Sequence, residues 1–498
     1  MPELVTLTTA HIPFPALPPD SLDPYVPSAA KPWNARRVAH LYRRLGFGAS
    51  LDQIQQGLQL SPSDLVDQLL DTAAQLNPPT PPYWSDWTTA QYEASPIFDI
   101  QFKHRAELRR SWLNSMLEEG VRAKFALFWH NHFVTELDSY DCNAYLWGYF
   151  SMLHEYAFGN FRTFVREMGK NPAMLVYLNG NLNVAGEPNE NYARELMELF
   201  TMGESNGYTQ ADIVDMARAM TGWQADMYAC TPPYYDANLH DNGAKTIFGQ
   251  TGNYGFTAAH NLIFTLRAEQ VSRFISTKIY KNFVYQVPDN QVIEGLAATF
   301  QDANWEMMPM LKQLFKSEHF FEERHLNARL KNPLESMVPI FKMANATAAE
   351  IMDDWWDAVG YWSYELGQDI FNPPNVAGWP GHRKWINEST LTTRWNYGSI
   401  TAYLLTESET LRENLRSLAQ ALTNDSQDPS VVTQALVEFF IGQNLEAVHQ
   451  QAALAYFKSG IPENYYQDGS WSLYWDEAPY QMVNLLYYLI RLPEFQLT

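Results

Sequence analysis

Apolar residues recur at three- and four-residue spacing through most of the 498-residue chain, the period of a helix with one buried face. The first such segment, Asn34 to Gly46, carries Val38, Leu41, Tyr42 and Leu45 on one stripe. Asn34 suits its N-cap, and Gly46 suits a left-handed C′ position. A second helix is predicted after Ser63, in DLVDQLLDTAAQ. Helical periodicity continues over about 98–119, 121–136, 142–157, 161–170, 188–202 and 209–220. Gly120, Gly159, Pro172, Gly203 and Gly222 stand at the element ends, where breakers belong. It resumes over 266–285, 289–301, 306–316, 332–345 and 349–363, and again over about 390–491.

Four stretches break the pattern. Residues 1–33 hold eight prolines and read as an extended arm. A Pro- and Trp-rich loop covers 77–96. Residues 223–258, rich in Gly, Asn, Tyr and Pro, read as an irregular loop or a short β-hairpin. Residues 368–385 form a second irregular segment. Loops this long in a compact protein are more often functional than filler. The pattern therefore predicts a mainly α fold: one large multi-helix body with two long irregular loops and at most a short β-hairpin. Its divisions are the arm 1–33, a helical domain 34–400, and a C-terminal helical segment 401–498 packed on the same body.

Composition narrows this picture. Aromatics make up 14 % of the chain and charged residues only 18 %, so a large core is available and global disorder is excluded. The net charge of −22 argues against broad binding to nucleic acid or anionic membrane. Charge is uneven: residues 1–60 carry five basic and four acidic side chains, whereas 401–498 carry four and twelve. The acidic excess there reads as a solvated face. No apolar stretch is long enough to span a membrane. The N-terminus has neither a basic n-region nor an apolar h-region, so the default is a cytoplasmic protein, with export open if the N-terminus is processed or truncated. Cys142 and Cys230 are the two cysteines. Two buried thiols are the expectation, and a single bridge is the alternative.

The densest polar cluster is Pro188 to Gly203, PNENYARELMELFTMG. Pro188 fits the first helical turn and Gly203 the stop. Asn191, Glu195 and Glu198 share a face opposite the apolar stripe, and Arg194 sits four residues from both Glu190 and Glu198. The cluster reads as an exposed salt-bridged face, as a buried bracing network, or as a carboxylate site for acid–base work or a metal. In Phe128-Trp-His-Asn-His-Phe133, His130 and His132 point about 200° apart on a continuous helix. They cannot chelate one ion unless the helix ends between them. Packed or hydrogen-bonded imidazoles are the plainer reading, and an acid–base group or ligand is the sharper one. The loop around Asp236, Asn238, His240, Asp241 and Lys245 starts like a calcium loop, but its glycine is misplaced and no glutamate closes it. It supplies turn chemistry, or His240, Asp241 or Lys245 to a cleft. Trp379 and Trp385, in the rigid Asn372–Gly381 stretch and just beyond it, cover a core or stack on a sugar. Gly-rich phosphate loops, His-Glu-x-x-His and Cys-x-x-Cys are all missing.

The strings LYRRLGFGAS, FWHNHF, NPAMLVYLNG with PNENYARELMELFTMG, TGW, HDNGAKTIFG and PPNVAGWPG follow one another in this order. Over about residues 34–400 they resemble the bacterial family catalogued as domain of unknown function 1800. The resemblance implies a mainly helical protein, often exported, and often encoded beside a family that looks sulfatase-like. Its signature residues fall on His130, His132, Asn189, Glu190, Asn191, Arg194, Glu195, Glu198, His240, Lys245, Asn375, Gly378 and Trp379, with no catalytic role attached to them. Two functional expectations follow. In the first, a hydrolase-like enzyme uses Glu195 and Glu198 with His130, His132, His240 and Lys245 as acid–base groups. Asn191, Arg194, Trp379 and Trp385 then hold a polar substrate such as a glycan, and a divalent metal is compatible but not required. In the second, a non-catalytic binding or assembly protein uses the Asn-Glu-Arg motif as a structural network and the aromatic loops to meet a protein partner.

Overall fold

A computed structural model describes residues 21–498 of the chain; residues 1–20 of the proline-rich arm lie outside the described residues. The body is a stack of helices, as the periodicity predicts, with two small antiparallel strand pairs. One buried apolar cluster runs from Tyr25 to Phe495, and its largest fully buried members include Trp84, Trp112, Trp129, Trp356 and Trp471. The segment 401–498 joins this same cluster through Leu411, Leu436 and Leu486. No helix of the described residues is long and apolar enough to cross a membrane.

Capping explains why the helices begin where they do. Asn34, Ser61, Thr209, Asn332 and Asn387 each accept a backbone N–H from the first turn that follows. Gly46 closes the first helix with φ −138°, and the left-handed residue is Gly48 at φ +88°. The arm reaches the body from residue 21 onward. Tyr25 N–H donates to Lys316 O at 2.7 Å, and the N–H groups of Glu318 and His319 donate to Asp23 O and Ser21 O.

The first irregular segment divides into parts that the pattern did not separate. Trp223–Gln224 pairs with Tyr234–Tyr235, Lys245–Ile247 pairs with Gln250–Gly252, and a helix, Phe256–Leu266, begins inside the expected loop. Its buried face, Phe256, Ala259, His260 and Ile263, keeps the helical period. The glycines and asparagines just before it blur the start. Cys142 and Cys230 form a disulfide rather than two thiols. Cys142 is the N-cap of helix Asn143–Glu155. The bridge and the Tyr145 hydroxyl, which donates to Asp226 O and Thr231 O, tie the loop to that helix.

The C-terminal segment is anchored by two arginines. Arg43 donates to Phe439, Phe440 and Ile441 carbonyls, neutralising the end of helix Pro429–Ile441. Arg394 bonds Gln496 and Lys331 O.

Candidate functional site

Two of the sequence motifs meet in space. Helix Val121–His130 ends at Asn131, so His130 and His132 are not on one continuous helix, yet they still point into different surroundings. His130 is fully buried. Its Nδ1 is 2.7 Å from the Tyr149 hydroxyl, which donates onward to Phe133 O. Its Nε2 accepts the Phe371 N–H at 3.2 Å. Burial lowers its pKa to about 3, so it is a neutral joint between the helix and the second irregular segment. Asn131 completes the joint: its side-chain oxygen accepts the Trp379 N–H at 2.6 Å. Gly378, at φ +83°, lies so close that an added Cβ would come within 2.6 Å of Asn131 O. Asn375 shapes the turn by accepting the Ala377 N–H.

His132 faces the other way. Its Nε2 donates to Phe200 O at 3.0 Å, and its Nδ1 accepts from Lys278 Nζ at 3.2 Å. Lys278 also reaches Leu199 O at 3.4 Å. These two carbonyls belong to the π-helical turn Leu196–Thr201 that ends the polar motif's helix. The Lys278 ammonium sits at the negative end of that helix dipole. Burial, and then Lys281, lower the Lys278 pKa to about 8. Burial first, then Lys278, hold the His132 imidazole well below its ordinary value.

His132, Trp379 and Trp385 line one cleft of about 270 Å³. Its walls come from helix Val121–His130, helix Ala268–Phe283 and the 377–385 segment. Lys124, Lys278, Lys281 and Arg329 also line it, and no aspartate or glutamate does. Lys124 and Arg329 share the buried carboxylate of Glu335 behind the wall. Four cations less one carboxylate leave a formal +3 in a chain of −22. Sequence reasoning missed this. Lys278 and Lys281 look like ordinary polar positions of an amphipathic helix, and Lys124 and Arg329 reach the cleft from distant parts of the chain. Trp379 Nε1 and Arg329 Nε are buried with no acceptor among the described residues.

The other expected site residues lie elsewhere. Helix Asn191–Glu195 starts three residues after Pro188, with Asn189 accepting the Asn191 N–H. Arg194 donates to Glu190 at 3.0 Å, to Glu198 at 3.5 Å and to Gln210 at 2.9 Å, and Gln210 donates back to Glu190. Glu195 is left out of this network. It is half-buried, no donor among the described residues bonds it, and burial followed by the Glu198 charge raises its pKa. Nearby, Tyr177 donates to Glu136 at 2.7 Å. His240 donates from Nδ1 to Thr221 O. The buried Lys245 donates to Asp241 O and Gly243 O at 2.5 and 2.9 Å, while Asp241 pairs with Arg218. Those contacts lock the HDNGAK turn onto helix Gln210–Ala219. Glu195, Glu198, His240 and Lys245 are not part of the cleft lining. Among the described residues, the His, Cys, Asp and Glu side chains near enough to share an ion are His319, Glu322 and His325, not the 195–198 carboxylates.

A family model described as a protein of unknown function (DUF1800) matches residues 40–497 of the chain. No curated protein and no solved structure matches it.

Proposed function

The chain belongs to the DUF1800 family of proteins of unknown function, and from that premise we propose that it binds an anionic, acceptor-rich ligand in the cleft beside His132. The ligand class is a sugar or similar polar molecule bearing a phosphate, sulfate or carboxylate. One observation carries the reading: a cleft lined by four cations and no carboxylate, in a strongly acidic protein. Such a wall concentrates anions while the rest of the surface repels them. The unsatisfied Trp379 and Arg329 donors favour a ligand rich in acceptors. Trp379 and Trp385 offer the flat apolar walls on which sugar rings rest.

Hydrolase-like chemistry, on this reading, belongs to the cleft and not to Glu195. Lys278 is the group placed for it: a desolvated amine near a second cation is a nucleophile or proton carrier at neutral pH. The Asn189–Glu198 motif acts instead as a brace, a reading favoured by the bonds from Arg194 to Glu190, Glu198 and Gln210. The Cys142–Cys230 bridge supports an oxidising compartment over the cytoplasm.

The test is calorimetric titration with inorganic phosphate, sulfate, glucuronate, glucose 6-phosphate and glucose. Binding of anionic members, weakening with salt and falling at least about tenfold in Lys278→Met, is the expected result. Equal binding of glucose, or no change in Lys278→Met and Lys281→Met, would overturn the proposal.

A further inference from the structure

Helix Met307–Lys316 is followed by tight turns that carry His319, Glu322 and His325. The spacing of three matters. Two successive turns bring the positions together: Glu322 N–H donates to His319 O and His325 N–H to Glu322 O, with Glu322 extended between the turns (φ −62°, ψ 142°) and Glu323–His325 a 3₁₀ helix. All three side chains converge, and each offers one ligand atom within 4.8 Å of the others.

Both imidazoles are buried, with 1 % of His319 and 4 % of His325 exposed. His319 Nδ1 and both nitrogens of His325 have no hydrogen-bond partner among the described residues. A buried ring nitrogen without a partner is rare and costs free energy. Here three of them lie together beside a carboxylate. The rings pack at 4.6 Å between centroids, tilted by 50°, which satisfies none of those nitrogens.

The surroundings are arranged as they are around metal-ligating groups. The Tyr280 hydroxyl lies 2.8 Å from His319 Nε2, which leaves Nδ1 as the free ligand atom and fixes the ring. Arg324 pairs with one Glu322 oxygen at 2.6 Å, so the other is available. Arg44 donates to His325 O at 2.7 Å, and Ser21 O accepts the His319 N–H, so both backbones are held. The imidazoles and Asp289 face an adjoining cavity of about 420 Å³.

We infer that His319, Glu322 and His325 form a mononuclear site for a divalent first-row transition metal, with an open coordination position on that cavity. Two imidazoles and one carboxylate are the donor set of zinc and of non-haem iron sites that keep open positions. Calcium and magnesium prefer all-oxygen sets and are the wrong class. Ligand bonds of about 2.0–2.2 Å bring the atoms of one set to within roughly 3–4 Å of each other, so the three side chains need to draw in by about an ångström. Glu322 and Asp289 supply negative charge against the Arg324 and Arg44 guanidinium groups and the Lys31 ammonium. The site is separate from the cationic cleft and does not depend on it.

The experiment uses the full chain stripped with a chelator. It is titrated with Zn²⁺ against a chromophoric competitor and with Co²⁺ for its visible spectrum. One tight equivalent is expected, with Co²⁺ bands of a low-coordinate site. His325→Ala and His319→Ala should each weaken binding by at least about a hundredfold, and Tyr280→Phe by about tenfold, while His449→Ala has no effect. If a histidine variant does not fold, X-ray absorption of the zinc-loaded native chain decides, with two imidazole ligands expected. No stoichiometric binding, a spectrum without imidazole ligation, or unchanged affinity in folded His325→Ala and His319→Ala overturns the inference.

Discussion

Replacing Gly378 with alanine tests the joint that holds one wall of the cleft. Two costs add. The left-handed φ of +83° costs a residue with a Cβ roughly 1–2 kcal/mol. The new methyl would also sit against the Asn131 carboxamide and within 2.6 Å of Asn131 O. Asn131 cannot retreat, because its N–H is bonded to Leu127 O at 3.2 Å and its side chain to Trp379 N. The loop must lift instead. That leaves the Trp379 N–H and the Asn131 oxygen unpaired, a further cost of about 1–3 kcal/mol. Gly367→Ala is the internal control: it has nearly the same φ, +87°, with nothing within 4 Å of its added Cβ, so it carries the strain alone. The expected difference between the two variants is about 2 kcal/mol, or roughly thirtyfold in the local opening equilibrium. Hydrogen exchange at the Trp379 amide reads it directly, and thermal melting reads the total. Trp379 exchanging in Gly378→Ala at the rate it shows in Gly367→Ala would refute the close-approach argument.

Three other perturbations probe separate parts of the structure. Glu335→Gln leaves Lys124 and Arg329 buried without their carboxylate and should cost about 3–5 kcal/mol in chemical unfolding. Burial pushes the Glu335 carboxyl up, but Arg329 and Lys124 overcome it and hold the folded value well below the ordinary one. Its contribution is therefore present above the unfolded value of about 4.3 and lost as pH falls below it. The native chain should weaken more steeply in acid than the variant, and parallel pH curves would contradict this. With a pKa of about 8, roughly a fifth of Lys278 is neutral amine at pH 7.4, against about one part in a thousand for an exposed lysine. Competitive acetylation read by mass spectrometry should label it faster than the exposed lysines, and labelling at the surface rate would count against it. The Cys142–Cys230 bridge closes a separation of 88 residues, worth about 4–5 kcal/mol on a chain-entropy account. The Cys142→Ser/Cys230→Ser chain should melt earlier and be cut within 223–252; alkylation of two thiols in the unreduced native chain would show that no bridge exists.

The helical body was legible because its periodicity and its caps agree. Asn34, Thr209 and Asn332 announce helix starts, and buried positions return every third or fourth residue. The helix Phe256–Leu266 was hidden by the Gly-Asn-Tyr-Gly run before it. The cysteine bridge was hidden because pairing depends on how two distant segments meet. At the site, His132, Trp379 and Trp385 were legible as unusual residues in unusual strings. Their gathering into a cationic cleft was not, since Lys124, Lys278 and Arg329 converge through tertiary packing that leaves no local trace. The carboxylates of 190–198 attracted a chemical reading because they are dense in sequence, yet Arg194 binds two of them and leaves Glu195 alone. The i, i+3 spacing of His319, Glu322 and His325 was readable, had the segment been treated as two successive turns.

Helix Ala268–Phe283 presents Lys278 and Lys281 to the cleft and Tyr280 to the buried imidazoles. A helix is stiff along its axis, and Arg44 grips its end at Phe283 O and Val284 O while also holding His325 O. The helix is therefore a partition common to two cavities: one face lends its lysines to the cleft and the other its tyrosine to the imidazoles, and Arg44 pins the end of that partition and the His325 backbone together.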